Sequence, residues 1–239
     1  MIGVLGGMGP LATADFFCKV LSATAASQDE DHVPLLIASD PRIPGRPKAI
    51  LEGGASPLPA LRSIRDRLIA AGATALAMPC NTAHFWFDDL SGDCPVPFIS
   101  IVQASCAELA TLASPGTRIG LVATRATLAG RVFDAPLLAR GYTPLWPGDT
   151  TMEQTILPSI RLVKAGRPRE AGELLAPAVS SLLDQGAKAV VLACTEAQIA
   201  LDAVASPLRT HCVDTTAALA RACVSFWRGQ SPCPPSAVG

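Results

Sequence analysis

Charge is scarce in this sequence. Asp, Glu, Lys and Arg make up 16% of its 239 residues and nearly cancel, to a formal net charge of -1. With no basic run there is no electrostatic footing for nucleic acid or an anionic membrane surface. Aromatic residues are few as well, at 5%, which argues against platforms for stacked bases. No stretch reaches the roughly 18 apolar residues of a membrane span. The opening residues MIGVLGGMGP lack a charged leader and are soon broken by glycine, so they read as a first β-strand and not a signal peptide. A cytoplasmic protein is expected. There is no Cys-x-x-Cys pair, and no histidine spacing suits zinc. No metal is expected.

What the chain does have is a hydrophobic fraction of 49%, ample for a core, and a length that fits one large domain or two small ones. It also carries eight cysteines: Cys18, Cys80, Cys94, Cys106, Cys194, Cys212, Cys223 and Cys233. In a reducing compartment most should be free thiols. Cys18, Cys106 and Cys223 fall within helical patterns and read as small core residues.

Short apolar runs alternate with longer amphipathic ones. Strands are expected at Ile2–Leu5, Leu35–Ser39, Ala75–Met78, Phe98–Ile101, Ile119–Ala123, Thr143–Trp146, Ala189–Ala193 and His211–Val213. Helices are expected at about Thr13–Ala25, Pro57–Ala71, Thr82–Leu90, Gln103–Ala113, Thr127–Arg140, Met152–Ala165, Arg169–Gln185 and Thr216–Trp227. Continuous apolar strands separated by helices predict parallel sheets covered on both faces. The Pro/Ser/Gly-rich segment 229–239 is expected to be a disordered tail.

An internal repeat is the most informative pattern. Ala71-Gly-Ala-Thr-Ala-Leu-Ala-Met-Pro-Cys80 aligns without gaps on Gln185-Gly-Ala-Lys-Ala-Val-Val-Leu-Ala-Cys194. In both, a helix ends at glycine, an apolar strand follows, and the strand runs into cysteine. Ile2-Gly-Val-Leu and Ile119-Gly-Leu-Val are a second echo. The expected fold is therefore two similar three-layer α/β halves with central parallel sheets, related by a pseudo-two-fold, with an active site in the cleft between them. One half is expected from 1–99 with 209–228, the other from 100–208.

Ligands of open parallel sheets bind beyond the carboxyl ends of the strands, and Cys80 and Cys194 stand there in their respective halves. Each precedes residues suited to open a helix, Asn81-Thr82 and Thr195-Glu196. A helix start attracts a carboxylate and favours a thiolate. Two facing thiols around an anion site suit one reaction: a thiolate removes the α-proton of an amino acid and the opposite thiol returns one to the other face. The competing reading is a pair of buried core thiols. His84 either turns back to activate Cys80 or bonds to backbone and water. The loop Gly6-Gly7-Met8-Gly9 lacks dinucleotide spacing and is followed by no P-loop lysine; its glycines would admit a small carboxylate to backbone N–H groups. Asp40–Lys48 reads as a proline-rich loop in which Arg46 suits bidentate binding of a carboxylate. Lys164, at a helix end, reads on physical grounds alone as a complement to the helix dipole.

LGGMGPLATADF at the start, Pro-x-Ile-Pro-x-Arg ending at Arg46, PCNTAH at Cys80, LVAT at 121–124, VKAG at Lys164 and ACTE at Cys194 together resemble the aspartate racemases of the aspartate/glutamate racemase superfamily. The resemblance spans Ile2 to about Trp227. It implies a two-base racemase without pyridoxal phosphate, acting on aspartate with glutamate as a candidate second substrate, and a homodimer. Cys80 would deprotonate the D-isomer and Cys194 the L-isomer. Arg46 and Lys164 would hold the distal carboxylate; Asn81, Thr82, Thr124 and Thr195 would hold the α-carboxylate and amino group. Met8 and Glu196, in the first loop and the second cysteine motif, join them as substrate-binding candidates. Many relatives carry an acidic residue where this chain has Gly45. The superfamily also includes hydantoin racemases, decarboxylases and maleate-type cis–trans isomerases, so other chemistry on the same scaffold, or dicarboxylate binding without catalysis, stays open.

Overall fold

The computed structural model describes residues 1–229. The expected tail lies, Gly229 apart, outside the described residues, as does Cys233. The chain divides into two units, 1–104 with 216–229 and 105–215.

The first unit contains β1 (Ile2–Gly6), α1 (Pro10–Ala23), β2 (Leu35–Ser39), α2 (Arg46–Glu52), α3 (Leu58–Ala70), β3 (Ala75–Ala77), α4 (Phe87–Ser91) and β4 (Phe98–Ile99). Then α5 (Ile101–Glu108) leads out of it. The second unit contains β5 (Arg118–Ala123), α6 (Arg125–Ala129), α7 (Asp134–Leu138), β6 (Thr143–Leu145), α8 (Asp149–Thr151), α9 (Leu157–Lys164), α10 (Pro168–Asp184), β7 (Ala187–Ala193), α11 (Thr195–Ala203) and β8 (Cys212–Asp214). Helix α12 (Thr215–Trp227) carries the chain back to the first unit.

Each unit has a four-stranded parallel sheet, ordered β2-β1-β3-β4 in the first and β6-β5-β7-β8 in the second. The repeat in sequence is thus a repeat in topology: β3 and β7 hold the same place in their sheets. Both are entered through a glycine with positive φ, Gly72 (φ 97°) after α3 and Gly186 (φ 92°) after α10. A side chain there would clash with its own backbone, and glycine ends a helix without that cost. The inner strands β1 and β3 are buried throughout, and β5 and β7 nearly so, which is why they read as unbroken apolar runs.

Several expectations need correction. The segment 209–228 does not belong whole to the first half. Cys212–Asp214 hydrogen-bonds along β7, so β8 completes the second sheet and the return begins only at Thr216. The expected helix over Thr127–Arg140 is broken in two, because Arg131 takes a left-handed φ of 50° just after Gly130. Cys18 is exposed and not core: α1 buries Ala12, Thr13, Phe16 and Val20, and Cys18 falls on the opposite face. Cys106 and Cys223 are buried as expected.

Candidate active site

In the first unit Cys80 leaves the sheet three residues past β3 and turns at once, its N–H bonding to the Met78 carbonyl at 2.8 Å. The following segment Thr82–Trp86 is a 3-10 turn that passes into α4, where one continuous helix was expected. Cys80 is 6% exposed and joins Met8, Ile43, Leu61, Met78 and Trp86 in one apolar cluster. Met8 is therefore packed in the same apolar cluster as the thiol. Asn81 and Thr82 are buried next to it.

His84 does not activate this thiol directly. Its Nδ1–H donates to the Cys80 carbonyl at 2.9 Å and its Nε2 accepts from the Ile101 N–H at 3.2 Å. The ring stacks on Phe87 with centroids 4.9 Å apart. Both nitrogens are thus engaged by backbone, which fixes the tautomer. Burial, offset in part by the Cys80 carbonyl, lowers its pKa to about 4. His84 is a neutral brace that ties the cysteine turn to the start of α5.

The first loop is shaped by packing. Gly7, at φ 90°, donates to the Thr13 hydroxyl at 2.9 Å, and that hydroxyl donates to the Gly9 carbonyl at 3.0 Å. A Cβ on Gly7 would lie 2.4 Å from the backbone of Asp40. The glycine is required by this close approach of two strand exits, a reason the sequence alone did not disclose.

Arg46 opens α2 and does not lie in a loop. Gly45 is the N-cap, and a proline in the first turn is compatible with a helix. The guanidinium is half-buried, and its Nη1 donates to the carbonyls of Ile43 at 3.1 Å and Pro44 at 3.0 Å. These neutral acceptors orient the guanidinium. A side chain at Gly45 would meet nothing nearer than Lys48 at 3.8 Å. Helix α2 also touches the Thr82–Trp86 turn, which places Arg46's helix beside the cysteine segment.

In the second unit the last paired residues of β5 and β7 are Ala123 and Ala193, so Thr124 and Cys194 leave the sheet side by side. Thr124 caps α6, its hydroxyl accepting from the Thr127 N–H at 3.1 Å. Cys194 caps α11. Its thiol, 5% exposed, donates to Glu196 Oε2 at 3.1 Å. The Thr195 hydroxyl donates to the same oxygen at 3.1 Å. Lys164, at the end of α9, reaches Glu196 Oε1 at 3.6 Å; its side chain is 59% exposed while that of Glu196 is 8% exposed. Burial first, and then the Glu196 carboxylate, push the Cys194 thiol well above its ordinary range, with Lys164 acting weakly in the other direction. The helix start does not make this group a resting thiolate, as the sequence suggested. Low dielectric and an adjacent anion outweigh the partial charge of a helix terminus.

The structure thus sets Asn81 and Thr82 next to Cys80, with Met8 in the same apolar cluster, in one unit, and Thr124, Lys164, Thr195 and Glu196 near Cys194 in the other. The bond from Cys194 to Glu196 was not foreseen; the spacing Cys-Thr-Glu across a helix N-terminus was its available signal. Among the described residues no group of three or more His, Cys, Asp or Glu side chains gathers as metal ligands do. No helix among them is long and apolar enough to cross a membrane.

Comparison with known proteins bears on the fold and the family. The broad-specificity amino-acid racemase RacX of Bacillus subtilis is 26% identical, over 95% of this chain and 98% of its own. The structure of Picrophilus torridus aspartate racemase superposes with a TM-score of 0.82 at 28% identity, covering 97% of this chain and 95% of that one. Glutamate racemase from Francisella tularensis, solved with D-glutamate, shares the fold with a TM-score of 0.67 at 17% identity, covering 95% and 81%. The profile described as Asp/Glu/Hydantoin racemase matches residues 5–223, and the chain belongs to that racemase family.

Proposed function

We propose that this protein interconverts L- and D-aspartate without a cofactor, using Cys80 and Cys194 as its two bases. The observation that carries the reading is their equivalence: each cysteine follows the corresponding strand, β3 or β7, of two sheets with the same order. The mechanism needs the two thiols on opposite faces of one α-carbon. Starting from L-aspartate, the Cys194 thiolate takes the α-proton and the Cys80 thiol delivers one to the other face. Starting from the D-isomer the roles reverse. Arg46 and Lys164 hold the distal carboxylate, and Asn81, Thr82, Thr124 and Thr195 supply donors and acceptors for the α-carboxylate and amino group.

The test is chiral analysis of L- and D-amino acids incubated with the reduced protein, run beside Cys80→Ala and Cys194→Ala. Each general acid or base contributes about 10²–10⁴-fold, so each variant should lose at least about a hundredfold in both directions. Cys18→Ala and Cys106→Ala should keep near wild-type rates. Retention of substantial racemisation by either active-site variant sinks the two-base reading. In deuterated water the D-product should carry deuterium early, while unreacted L-aspartate stays mostly unlabelled. The similarity to a broad-specificity racemase favours a second reading, a wider range of amino acids, and the same panel decides it: comparable rates on neutral and acidic substrates would displace aspartate specificity.

A further inference from the structure

We propose that the outward face of α1 is an interface at which two copies of this chain pair about a two-fold axis, their α1 helices antiparallel. The inference does not depend on the two-thiol reading. Helix α1 has two apolar faces. One carries Ala12, Phe16 and Val20 and is buried, with Thr13 beside them. The other is exposed: Leu11 at 51%, Phe17 at 40% and Leu21 at 37%, with Ala14 and Cys18 exposed between them. Three of the eight exposed large apolar side chains among the described residues thus lie on this one helix. A surface helix ordinarily turns charged and polar residues outward. Single exposed apolar residues need no explanation, but a continuous stripe marks a contact surface. The surface also runs on past the helix. Arg228 donates to the Ala25 carbonyl at 2.9 Å, which brings the end of α12 and its exposed Trp227 beside the exposed Ala25.

The pattern of the stripe says what covers it. Leu11, Ala14, Cys18 and Leu21 are spaced three, four and three residues apart, the spacing by which one helix offers a seam to another. The sizes point to this same helix as the occupant. Read from either end the order is large, small, small, large. A two-fold with antiparallel helices places Leu11 against Leu21 of the other copy and Ala14 against Cys18 of the other copy, each contact made twice, as an isologous interface requires. The small residues at the centre let the helix axes approach to about 8 Å, and the leucines close the seam at its ends. The two Phe17 rings flank the seam one residue from its midpoint and meet across the axis. Antiparallel packing also sets opposite dipole ends side by side. A lipid surface fits this face less well. An interfacial helix carries Lys and Arg along its polar side, whereas α1 has the single cation Lys19, paired with Asp15 at 2.6 Å and largely buried. A helix pair about 21 Å long lies toward the small end of specific interfaces, so the association should be reversible and concentration-dependent.

Sedimentation velocity of the reduced full-length protein tests the proposal. The wild type should pass from monomer to dimer as its concentration rises. Phe17→Glu puts a charge into the seam and should raise the dissociation constant at least about tenfold, with a wild-type circular dichroism spectrum because the position is exposed. Leu21→Lys should do the same and carries the test should F17E fold poorly. Cross-linking reads the register. Ala14→Cys places a thiol opposite Cys18 of the second copy, and diamide, which takes one hydrogen from each of two thiols, should join the chains between positions 14 and 18, located by peptide mass spectrometry. The wild type, and Ser22→Cys outside the seam, should form no such link. The proposal is overturned if the wild type stays monomeric at the highest concentration reached, or if F17E and L21K both leave the dissociation constant within a few-fold. It is also overturned if oxidised wild type links Cys18 to Cys18, which requires parallel helices. Monomeric protein that cosediments with anionic vesicles overturns it as well and assigns the face to a membrane.

Discussion

His84 carries a consequence for acid stability. An ordinary histidine titrates near 6.5, while burial lowers this one to about 4. Between those values the unfolded chain binds a proton that the folded chain refuses. Stability should therefore be full above about pH 6.5 and fall as pH drops toward 4, by up to about 3 kcal/mol. His84→Asn can still donate to the Cys80 carbonyl but loses the bond from the Ile101 N–H, at a cost of about 1–3 kcal/mol. Urea midpoints at pH 7 and pH 4.5 should show a smaller pH dependence in the variant than in the wild type. Equal slopes would mean that His84 is not the group responsible. The chemistry of this residue was half legible in the sequence. Its spacing from Cys80 predicted the encounter, but only three-dimensional structure shows that it meets a carbonyl and not the sulfur, because Ile101, seventeen residues on, occupies the other nitrogen.

Helices α10 and α11 touch at a glycine, and this contact sets the position of Cys194. A Cβ on Gly172 would come within 2.2 Å of the Ala200 carbonyl oxygen. Gly→Ala inside a helix ordinarily gains about 1 kcal/mol from propensity. Overpacking here costs about 1–3 kcal/mol, and because the obstacle is backbone it cannot move aside cheaply. Gly172→Ala should therefore lower the melting temperature. It should also lower racemisation, since Cys194 and Glu196 sit on the first turn of the displaced helix; a melting temperature at or above wild type would refute the argument. At this scale all eight strands were foreseen, and the four inner ones, β1, β3, β5 and β7, were the plainest because they are buried on both faces and read as apolar runs. Helix α11 was foreseen only as a start at Thr195-Glu196 and not in its extent, since its residues from Thr195 to Leu201 are nearly all buried and no polar face marks its period. Helix α2 was hidden by its prolines, which look like loop residues until one is seen to occupy the first helical turn. The helix at the Cys80 exit was misjudged in kind, its first turn being 3-10.

At the scale of the whole chain, one unit is continuous and the other is not. Residues 105–215 form the second unit, and the first is completed only by 216–229, where Arg228 donates to the Ala25 carbonyl at 2.9 Å. A chain truncated after Thr215 retains all strands of the second sheet but lacks α12. In limited proteolysis of that truncated chain, 105–215 should outlast 1–104, whereas in the full-length protein the two should resist alike. Equal survival in the truncated chain would show that α12 adds nothing to the first unit. The same nesting dictates a schedule on the ribosome. Synthesis at about 5–20 residues per second leaves the first sheet waiting roughly 5–20 s for its closing helix while the inserted unit emerges and can finish. Newly made chains pass through a stage with one half built and the earlier half still open, and it is during that interval that a chaperone would find its client.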